Sequence, residues 1–401
     1  MRTQKTQELQ HMYSKTRISS ILNGLPTIEL NRLVKEYKTD RYIKQFNTRD
    51  HLIAMVSAQL MGSRSLRELE TAFNEHSHDH YHLRTGKIRR STLSEANSRR
   101  DSHVFEALCK SMLNRAHRKV KKTLTPHLYL LDSTPISLKG QGFDGWTLEN
   151  KTQRTQGLKV HMLYANDQEV PVYTNITAAN VNDIEDGKTI DIEKGATYVF
   201  DKGYCDYNWW FDIGQQGAKF VTRFKSNAGL KDVEDFKHPA TASKDILSDQ
   251  RVSFKYQQLG HTGRTNNYTE SLRQIKVQRE GKGPLTLATN DFDRSADEIA
   301  ALYKSRWDIE LFFKWIKQNL NIKQYLGRTE NAVRIQIFVA LITYLLVYFY
   351  RATHGIKHSM RMLIGILSSG LFQRPETEYA RAIKQKRRRE KISELQGDLC
   401  L

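Results

Sequence analysis

Cysteine is scarce in this chain: Cys109, Cys205 and Cys400 are the only three among 401 residues, and no two form a C-x-x-C pair. That spacing excludes a disulfide framework and a zinc knuckle, and makes a reducing cytosol the natural compartment. The first residues, Met1-Arg2-Thr3-Gln4-Lys5, lack the apolar stretch of a signal peptide. The longest apolar run, Ile337 to Tyr350, falls short of the roughly 18 residues that span a bilayer. A buried helix is expected there, and no membrane partner.

Acidic charge is what the two ends have little of. Residues 1–122 carry 24 basic and 12 acidic side chains and residues 323–401 carry 14 and 6, whereas residues 123–322 hold 25 and 26. A surplus of this kind attracts a polyanion, and nucleic acid is the commonest one that a basic protein meets. A near-neutral middle between basic flanks suits a core that holds cations while its neighbours grip phosphates. The length of 401 residues allows one large core with appendages, or about two to three domains.

Over residues 1–122 the apolar spacing is three and four, as in His51-Leu52-Ile53-Ala54-Met55-Val56 through Leu60, which predicts helices. Ser65-x-x-Glu68 and Thr92-x-x-Glu95 each set a hydroxyl three residues before a Glu, the spacing of a capping box. The expected product is a small basic helical DNA-binding domain. Arg89, Arg90, Arg99 and Arg100 form basic pairs at both ends of the short helix that Thr92 would start. A DNA-reading helix would hold them so, and so would a solvated surface helix. The run Glu75-His76-Ser77-His78-Asp79-His80-Tyr81-His82 alternates histidines that would suit a metal if extended. No second ligand cluster accompanies it, and an exposed loop is expected.

From residue 127 the pattern becomes that of strands. His127 to Asp132 is a short apolar run, Leu158 to Tyr164 and Val170 to Ile176 alternate, and Thr197-Tyr198-Val199-Phe200-Asp201 is a further buried strand. Helices are expected over about Ile184 to Ile192 and Asp206 to Gln215, and a strand over Ala218 to Phe224. Three strands able to form a meander, followed by strand, helix and strand, is the element order of the ribonuclease H-like fold. Asp132 would end the central strand and Asp201 its neighbour, side by side on one sheet edge. This predicts an α/β, ribonuclease H-like catalytic core over 123–224 and 291–324, interrupted by a β-rich insertion over 225–290. A helical C-terminal region over 325–401 would follow. Its residues Arg381 to Lys391 hold seven basic side chains in eleven, either a phosphate-binding helix or a frayed basic tail.

Tyr303 to Lys317 reads as one helix. At about 100° per residue Tyr303, Arg306, Glu310 and Lys317 share an arc of roughly 60°, next to an apolar side formed by Ile309, Phe312, Phe313 and Ile316. A polar stripe bordering a buried face is where a site at a domain edge draws its groups. The plainer alternative is an amphipathic helix with Arg306 and Glu310 as an i, i+4 pair. Three carboxylates from strand, strand and helix, namely Asp132, Asp201 and Glu310, suit two Mg²⁺ ions about 3.5–4 Å apart, with Mn²⁺ as a substitute. Such a pair activates an attacking water or 3′-hydroxyl and stabilises the leaving oxygen of an in-line displacement. Lys and Arg beside them suit the flanking phosphates.

Tyr303-x2-Arg306-x3-Glu310-x6-Lys317 resembles the Tyr-Arg-Glu-Lys signature of the bacterial insertion-sequence transposases of family four, members of the DDE superfamily. Asp132-Ser133-Thr134, Phe200-Asp201-Lys202-Gly203-Tyr204, Leu287-Ala288-Thr289-Asn290 and the stretch from His51 through Ser65-Leu66-Arg67-Glu68-Leu69 resemble its other blocks, in the right order. The resemblance runs from about residue 28 to 375. It implies a transposase that hydrolyses the 3′ ends of an insertion sequence and joins them to target DNA. By it Asp132, Asp201 and Glu310 are the catalytic metal ligands, and Tyr303, Arg306 and Lys317 contact the transposon end. Its partners would be double-stranded DNA, as terminal inverted repeats and target, and a second copy in a homodimer, acting in the cytoplasm at the nucleoid. Trp307 is expected in the core, with stacking on a base as the alternative. One departure stands out: relatives that use a DNA hairpin flip a base onto a tryptophan of the insertion, and residues 211–306 contain none. Phe254, Tyr256 or Tyr268 would have to take its place. A nuclease that cuts without joining, and a non-catalytic DNA-binding protein, are the rival readings; the presence of all three carboxylates argues against the second.

Overall fold

The computed structural model describes residues 16–123, 126–150, 154–236, 243–256, 258–259, 264–319 and 325–373. The chain divides into two compact units, one made of residues up to 105 with 324–327 and 334 onward, the other of residues 106–323 with 328–333. The basic run Arg381 to Lys391 lies outside the described residues.

The first unit is helical. Thr48–Met61 is started by Asn47, whose side chain accepts from the Asp50 N–H at 2.8 Å while Asp50 accepts from the Asn47 N–H, and it is stopped by Gly62 in the left-handed region at φ 70°. Ser65 caps Leu66–Glu75, accepting from the Glu68 N–H at 3.1 Å. The second expected cap is corrected. The helix Arg90–Arg99 has no side-chain cap, and Thr92 lies inside it, because the Leu93 N–H already bonds the Arg89 carbonyl at 3.0 Å. The histidine run is not the exposed loop expected either: Ser77–Asp79 forms a 3₁₀ turn and His80–Leu83 a short helix, with buried His80 against the Phe73 carbonyl at 3.0 Å. The helix Glu330–Thr353 is long and apolar enough to cross a membrane by length and composition, yet 94% of its most apolar 18-residue stretch is buried, as expected for a core helix.

The second unit is built on a sheet. In chain order its strands are β1 (Leu128–Ser137), β2 (Leu148–Asn150), β3 (Thr155–Ala165), β4 (Val170–Ala178), β5 (Thr197–Phe200) and β6 (Lys219–Arg223). They continue as β7 (Leu230–Asp235), β8 (Ile246–Phe254), β9 (Gln258–Leu259), β10 (Arg264–Thr265), β11 (Leu272–Arg279) and β12 (Lys282–Thr289). The central segments are near-continuous apolar runs because both sheet faces are covered: Tyr129, Leu130, Leu131, Val199, Phe200, Phe220 and Val221 are all fully buried. β3 runs antiparallel between β1 and β4, and β1, β5 and β6 run parallel side by side. The helix Tyr207–Gln215, capped by Asp206, joins β5 to β6 and buries Trp209 and Trp210.

The strands of the 225–290 segment continue the same sheet. β12 pairs antiparallel with β6, and the order β12-β11-β8-β7 carries the sheet outward, while β9 and β10 form a separate hairpin. Arg273 ties β11 to β8 through a buried two-point pair with Asp249, at 2.8 and 2.6 Å.

Two expectations change here. The helix after β4 covers only Asp183–Gly187. β1 does not end at Asp132: its parallel pairing with β5 stops at Leu131↔Phe200, but its antiparallel pairing with β3 runs on to Ser137↔Gly157. The longer partner, β3, holds the strand extended past the carboxylate.

Candidate active site

The register of β1 and β5 sets the first two carboxylates. Leu131 opposes Phe200 in the last parallel pair, so Asp132 and Asp201 follow side by side where the two strands part. Asp132 accepts from the Ser133 N–H at 2.8 Å.

The third carboxylate comes from a helix laid along β1. The expected single helix is two, Ala296–Ser305 and Trp307–Asn319, because Arg306 bonds the carbonyl of Tyr303, three residues back, at 3.2 Å and so interrupts the regular ladder. Arg306 stays helical in its dihedrals, and Arg306 and Glu310 still share a face. Ile309, Phe312, Phe313 and Ile316 are buried, with the Phe312 ring 4.7 Å from that of Tyr164 on β3. At the far end Lys317 Nζ donates to Thr134 Oγ1 at 2.5 Å and to the Pro135 carbonyl at 2.8 Å, pinning the helix to β1.

Two guanidinium groups sit among the carboxylates. Arg306 Nη1 lies 2.6 Å from Glu310 Oε1 and 3.8 Å from Asp132 Oδ2. Arg223 Nη2 donates to Asp201, which also accepts from the Tyr303 hydroxyl at 3.4 Å. The Tyr303 ring lies beside both guanidinium groups, 5.7 Å from Arg306 and 5.9 Å from Arg223. Burial, reinforced by the charges of Glu310 and Asp201, pushes the Asp132 carboxyl up to about 7, against the Ser133 N–H and Arg306. Burial also acts to raise Asp201, but the hydrogen bonds from Arg223 and the Lys202 N–H hold it below the usual carboxylate range.

Clefts open on both sides. One of about 430 Å³ is lined by Asp132, Thr134, Glu310, Lys314 and Lys317. The other, about 1040 Å³, is lined by Asp183, Asp201, Lys202, Arg223 and Lys225, with Lys276 and Arg279 from β11.

A divalent ion suits this donor set. Asp132 and Glu310 converge on one cationic nitrogen, and Asp132 is uncomfortable as a buried anion beside two others, a deficit that a hard cation relieves through oxygen ligands. Among the described residues the group of three ligands within 4.8 Å of one another is His76, His78 and Asp79. The three site carboxylates are spread wider, with the guanidinium groups between them.

The other expected contacts scatter. Trp307 is 55% exposed with Arg306 5.6 Å above its ring, so the core expectation is overturned. Arg89, Arg90 and Arg99 are exposed, and Arg99 pairs with Glu95 at 2.9 Å. Arg100 is corrected. It is 7% exposed and donates to the Phe46 and Asn47 carbonyls at 2.7 and 3.2 Å, so it braces the entry to a helix. Sequence reasoning missed Arg223. Its signal is the βαβ register: Val199 opposes Val221, and two residues on from each come Asp201 and Arg223.

The sheet, the paired strand carboxylates and the helix that brings Arg306, Glu310 and Lys317 beside them have the make-up of a metal-dependent, nucleic-acid-processing enzyme. The family model described as "Transposase DDE domain" matches residues 123–346, more than half of the chain, and the protein belongs to that family. A second model, a domain of unknown function, matches residues 13–84. The chain is 41% identical to y4zB of Sinorhizobium fredii, which carries a transposase name, over 285 residues that cover 70% of this chain and 77% of the other. It is 26% identical, over 64% of this chain and 66% of the other, to a protein of Geobacillus stearothermophilus named as a transposase for insertion sequence element IS5377. Among solved structures, a synaptic complex of piggyBac transposase with hairpin DNA aligns at a TM-score of 0.46 and 10% identity, covering 90% of this chain and 81% of that one. The protein is thus an insertion-sequence transposase, with DNA as its partner and a divalent metal ion as its requirement.

Proposed function

We propose that Asp132, Asp201 and Glu310 together hold two Mg²⁺ ions, for which Mn²⁺ can substitute, and that the chain cleaves insertion-sequence ends and transfers them to target DNA in the manner of family four. The observation that carries this is the convergence of Asp132 and Glu310 on Arg306 Nη1 with Asp201 alongside. When bound, the ions would activate the attacking oxygen and stabilise the leaving one. The chain's own groups do the rest. Arg306 and Arg223, which neutralise the carboxylates here, are placed to turn to phosphate oxygens when cations take over that role. Lys317 and Lys314 line the smaller cleft as further phosphate partners, Tyr303 steadies both guanidinium groups, and Trp307 offers an exposed ring to a base.

The order β4-β3-β1-β5-β6, with β3 antiparallel to its neighbours, supports a ribonuclease H-like core. The basic residues Arg89, Arg90 and Arg99 favour a DNA-binding N-terminal domain over residues 1–122, and a homodimer would pair the two transposon ends in the cytoplasm, at the nucleoid. Residues 225–290 serve as the insertion, and the described residues 325–373 belong to the C-terminal region.

Asp132→Ala, Asp201→Ala and Glu310→Ala are each expected to abolish Mg²⁺-dependent cleavage of end-containing DNA with the fold intact by circular dichroism. Full cleavage by any one variant removes that residue from the metal set. A strand-transfer assay on supercoiled plasmid separates this reading from that of a nuclease which cuts without joining.

A further inference from the structure

Asp183 opens the short helix after β4, and none of the roles above uses it. Its Oδ1 accepts from Ser133 Oγ at 2.7 Å and from Lys159 Nζ at 2.9 Å. Lys159 is 3% exposed, and its ammonium also donates to the Val181 carbonyl at 2.7 Å. The other oxygen, Oδ2, lies over the turn that follows Asp201: a Cβ at Gly203 would sit 3.1 Å from it. Asp183 also lines the larger cleft together with Asp201. Behind it His161 is fully buried, with Nδ1 3.9 Å from Asp183 and 3.8 Å from Asp186, and Nε2 at 2.8 Å from Thr177 Oγ1.

Burying a lysine is costly unless it is paired and hydrogen-bonded, so the Lys159 ammonium and the Asp183 carboxylate hold each other in place. The arrangement achieves something more specific. One carboxylate touches Ser133, the residue after Asp132 on β1, and also packs on the turn just after Asp201. These two points lie beyond the last β1–β5 pair, where no strand hydrogen bonds hold the chains together.

We propose that Asp183 is a positioning residue of the active site, clamping Ser133 to the Asp201–Gly203 turn and so setting the separation of the two strand carboxylates. The inference rests on the reading of Asp132 and Asp201 as metal ligands. Groups that orient ligands in this way commonly change metal affinity or activity by about 10–100-fold when removed.

The test uses the full-length chain with Asp183→Asn, which replaces the charged acceptor shared by Ser133 Oγ and Lys159 Nζ with a neutral amide and so weakens the clamp, and Ser133→Ala, which removes the hydroxyl end of the same clamp without leaving a buried charge unpaired. Mn²⁺ affinity by calorimetry, cleavage rate, thermal midpoint and gel shift of end DNA in EDTA are read for each. Both variants are expected to bind Mn²⁺ several-fold more weakly and to cleave more slowly, with the thermal midpoint of Ser133→Ala and the EDTA gel shift of both unchanged. The double variant is expected to be no worse than the more affected single variant, because both act on one link. Wild-type Mn²⁺ affinity and cleavage in Ser133→Ala overturn the proposal whether or not Asp183→Asn folds, since Asp183 is then only a partner for Lys159. Additive losses in the double variant overturn it too. Asp132→Ala and Asp201→Ala are run alongside: inactive carboxylate variants with unaffected clamp variants sink this inference alone, whereas active carboxylate variants sink the metal-ligand reading and this inference with it.

Discussion

Arg306 reaches Glu310, one helical turn further on, and Asp132, on a strand far earlier in the chain, through the same terminal nitrogen, at 2.6 and 3.8 Å. A cation entering between these carboxylates must displace that nitrogen. Arg306→Ala is therefore expected to raise Mn²⁺ affinity in the absence of DNA by about fivefold, the equivalent of about 1 kcal/mol. Cleavage should fall at the same time, because the group proposed to meet phosphate is gone. Calorimetry and a cleavage assay on one preparation check both, and a drop in Mn²⁺ affinity would contradict the competition.

Lys317 is held at the opposite end of the same helix by Thr134 and the Pro135 carbonyl. Lys317→Met keeps the apolar stem and loses the charge. End-DNA binding by gel shift is expected to weaken by about 1.5–3 kcal/mol, the scale of a hydrogen bond to a charged group, with Mn²⁺ affinity unchanged. Unaltered DNA binding would leave Lys317 as a helix-to-strand pin.

The arginines of the first unit divide by burial. Exposed Arg89, Arg90 and Arg99 changed together to Ala should lower the slope of log affinity against log salt by about 2–3, since each neutralised phosphate contributes about 0.9. Arg100→Ala should instead destabilise the fold by about 2–3 kcal/mol by removing charged hydrogen bonds to two carbonyls. Titrations at several salt concentrations and urea unfolding distinguish the two effects.

His51 supplies a pH dependence. It is fully buried, bonded through Nε2 to Asn97 Oδ1 at 2.8 Å and edge-on to Phe105. Burial first, then the charge of Arg100, lowers its pKa from 6.5 to about 3 against the pull of Asn97. Below pH 6.5 the unfolded chain takes up a proton that the folded chain refuses, so this contribution to stability is whole above that pH and shrinks as pH falls toward about 3. At about pH 5 the loss is about 2 kcal/mol, at about 1.4 kcal/mol per pKa unit. Urea unfolding across that window should show the decline in the native chain and a flatter one in His51→Gln, which can still donate to Asn97.

Much of the scaffold was legible because its strands are buried on both faces: Leu128 to Leu131 and Thr197 to Phe200 announce themselves as apolar runs that end at an aspartate. The Arg306–Glu310 pair was legible from i, i+4 spacing, which survives the break in the helix. What escaped depends on partners distant in the chain. Arg223 is one of 63 basic residues until the β5–β6 register sets it by Asp201. Asp183 looks like an ordinary helix-start carboxylate until Lys159 and Ser133 close on it. Trp307 looked like core because large aromatic side chains usually are, yet it starts its helix on the solvent side. Thr92 matched a capping spacing that the backbone bond from Leu93 to Arg89 had already made unnecessary.

The junction of β12 with β6 has a further consequence. Its register is locked beyond the strand itself: Thr289 Oγ1 donates to the Phe220 carbonyl at 2.5 Å, and the Asn290 side chain accepts from the Phe220 N–H and donates to the Ala218 carbonyl at 2.8 and 2.9 Å. From this point the chain runs by way of the Ser295 cap directly into the helices that carry Arg306 and Glu310. The phase at which the chain re-enters the core is therefore fixed to the residue, and Arg273 on β11 holds the same segment through the Asp291 and Arg294 carbonyls. A single residue added inside the helix that follows Arg306, before Glu310, would rotate Glu310 about 100° and away from Asp132.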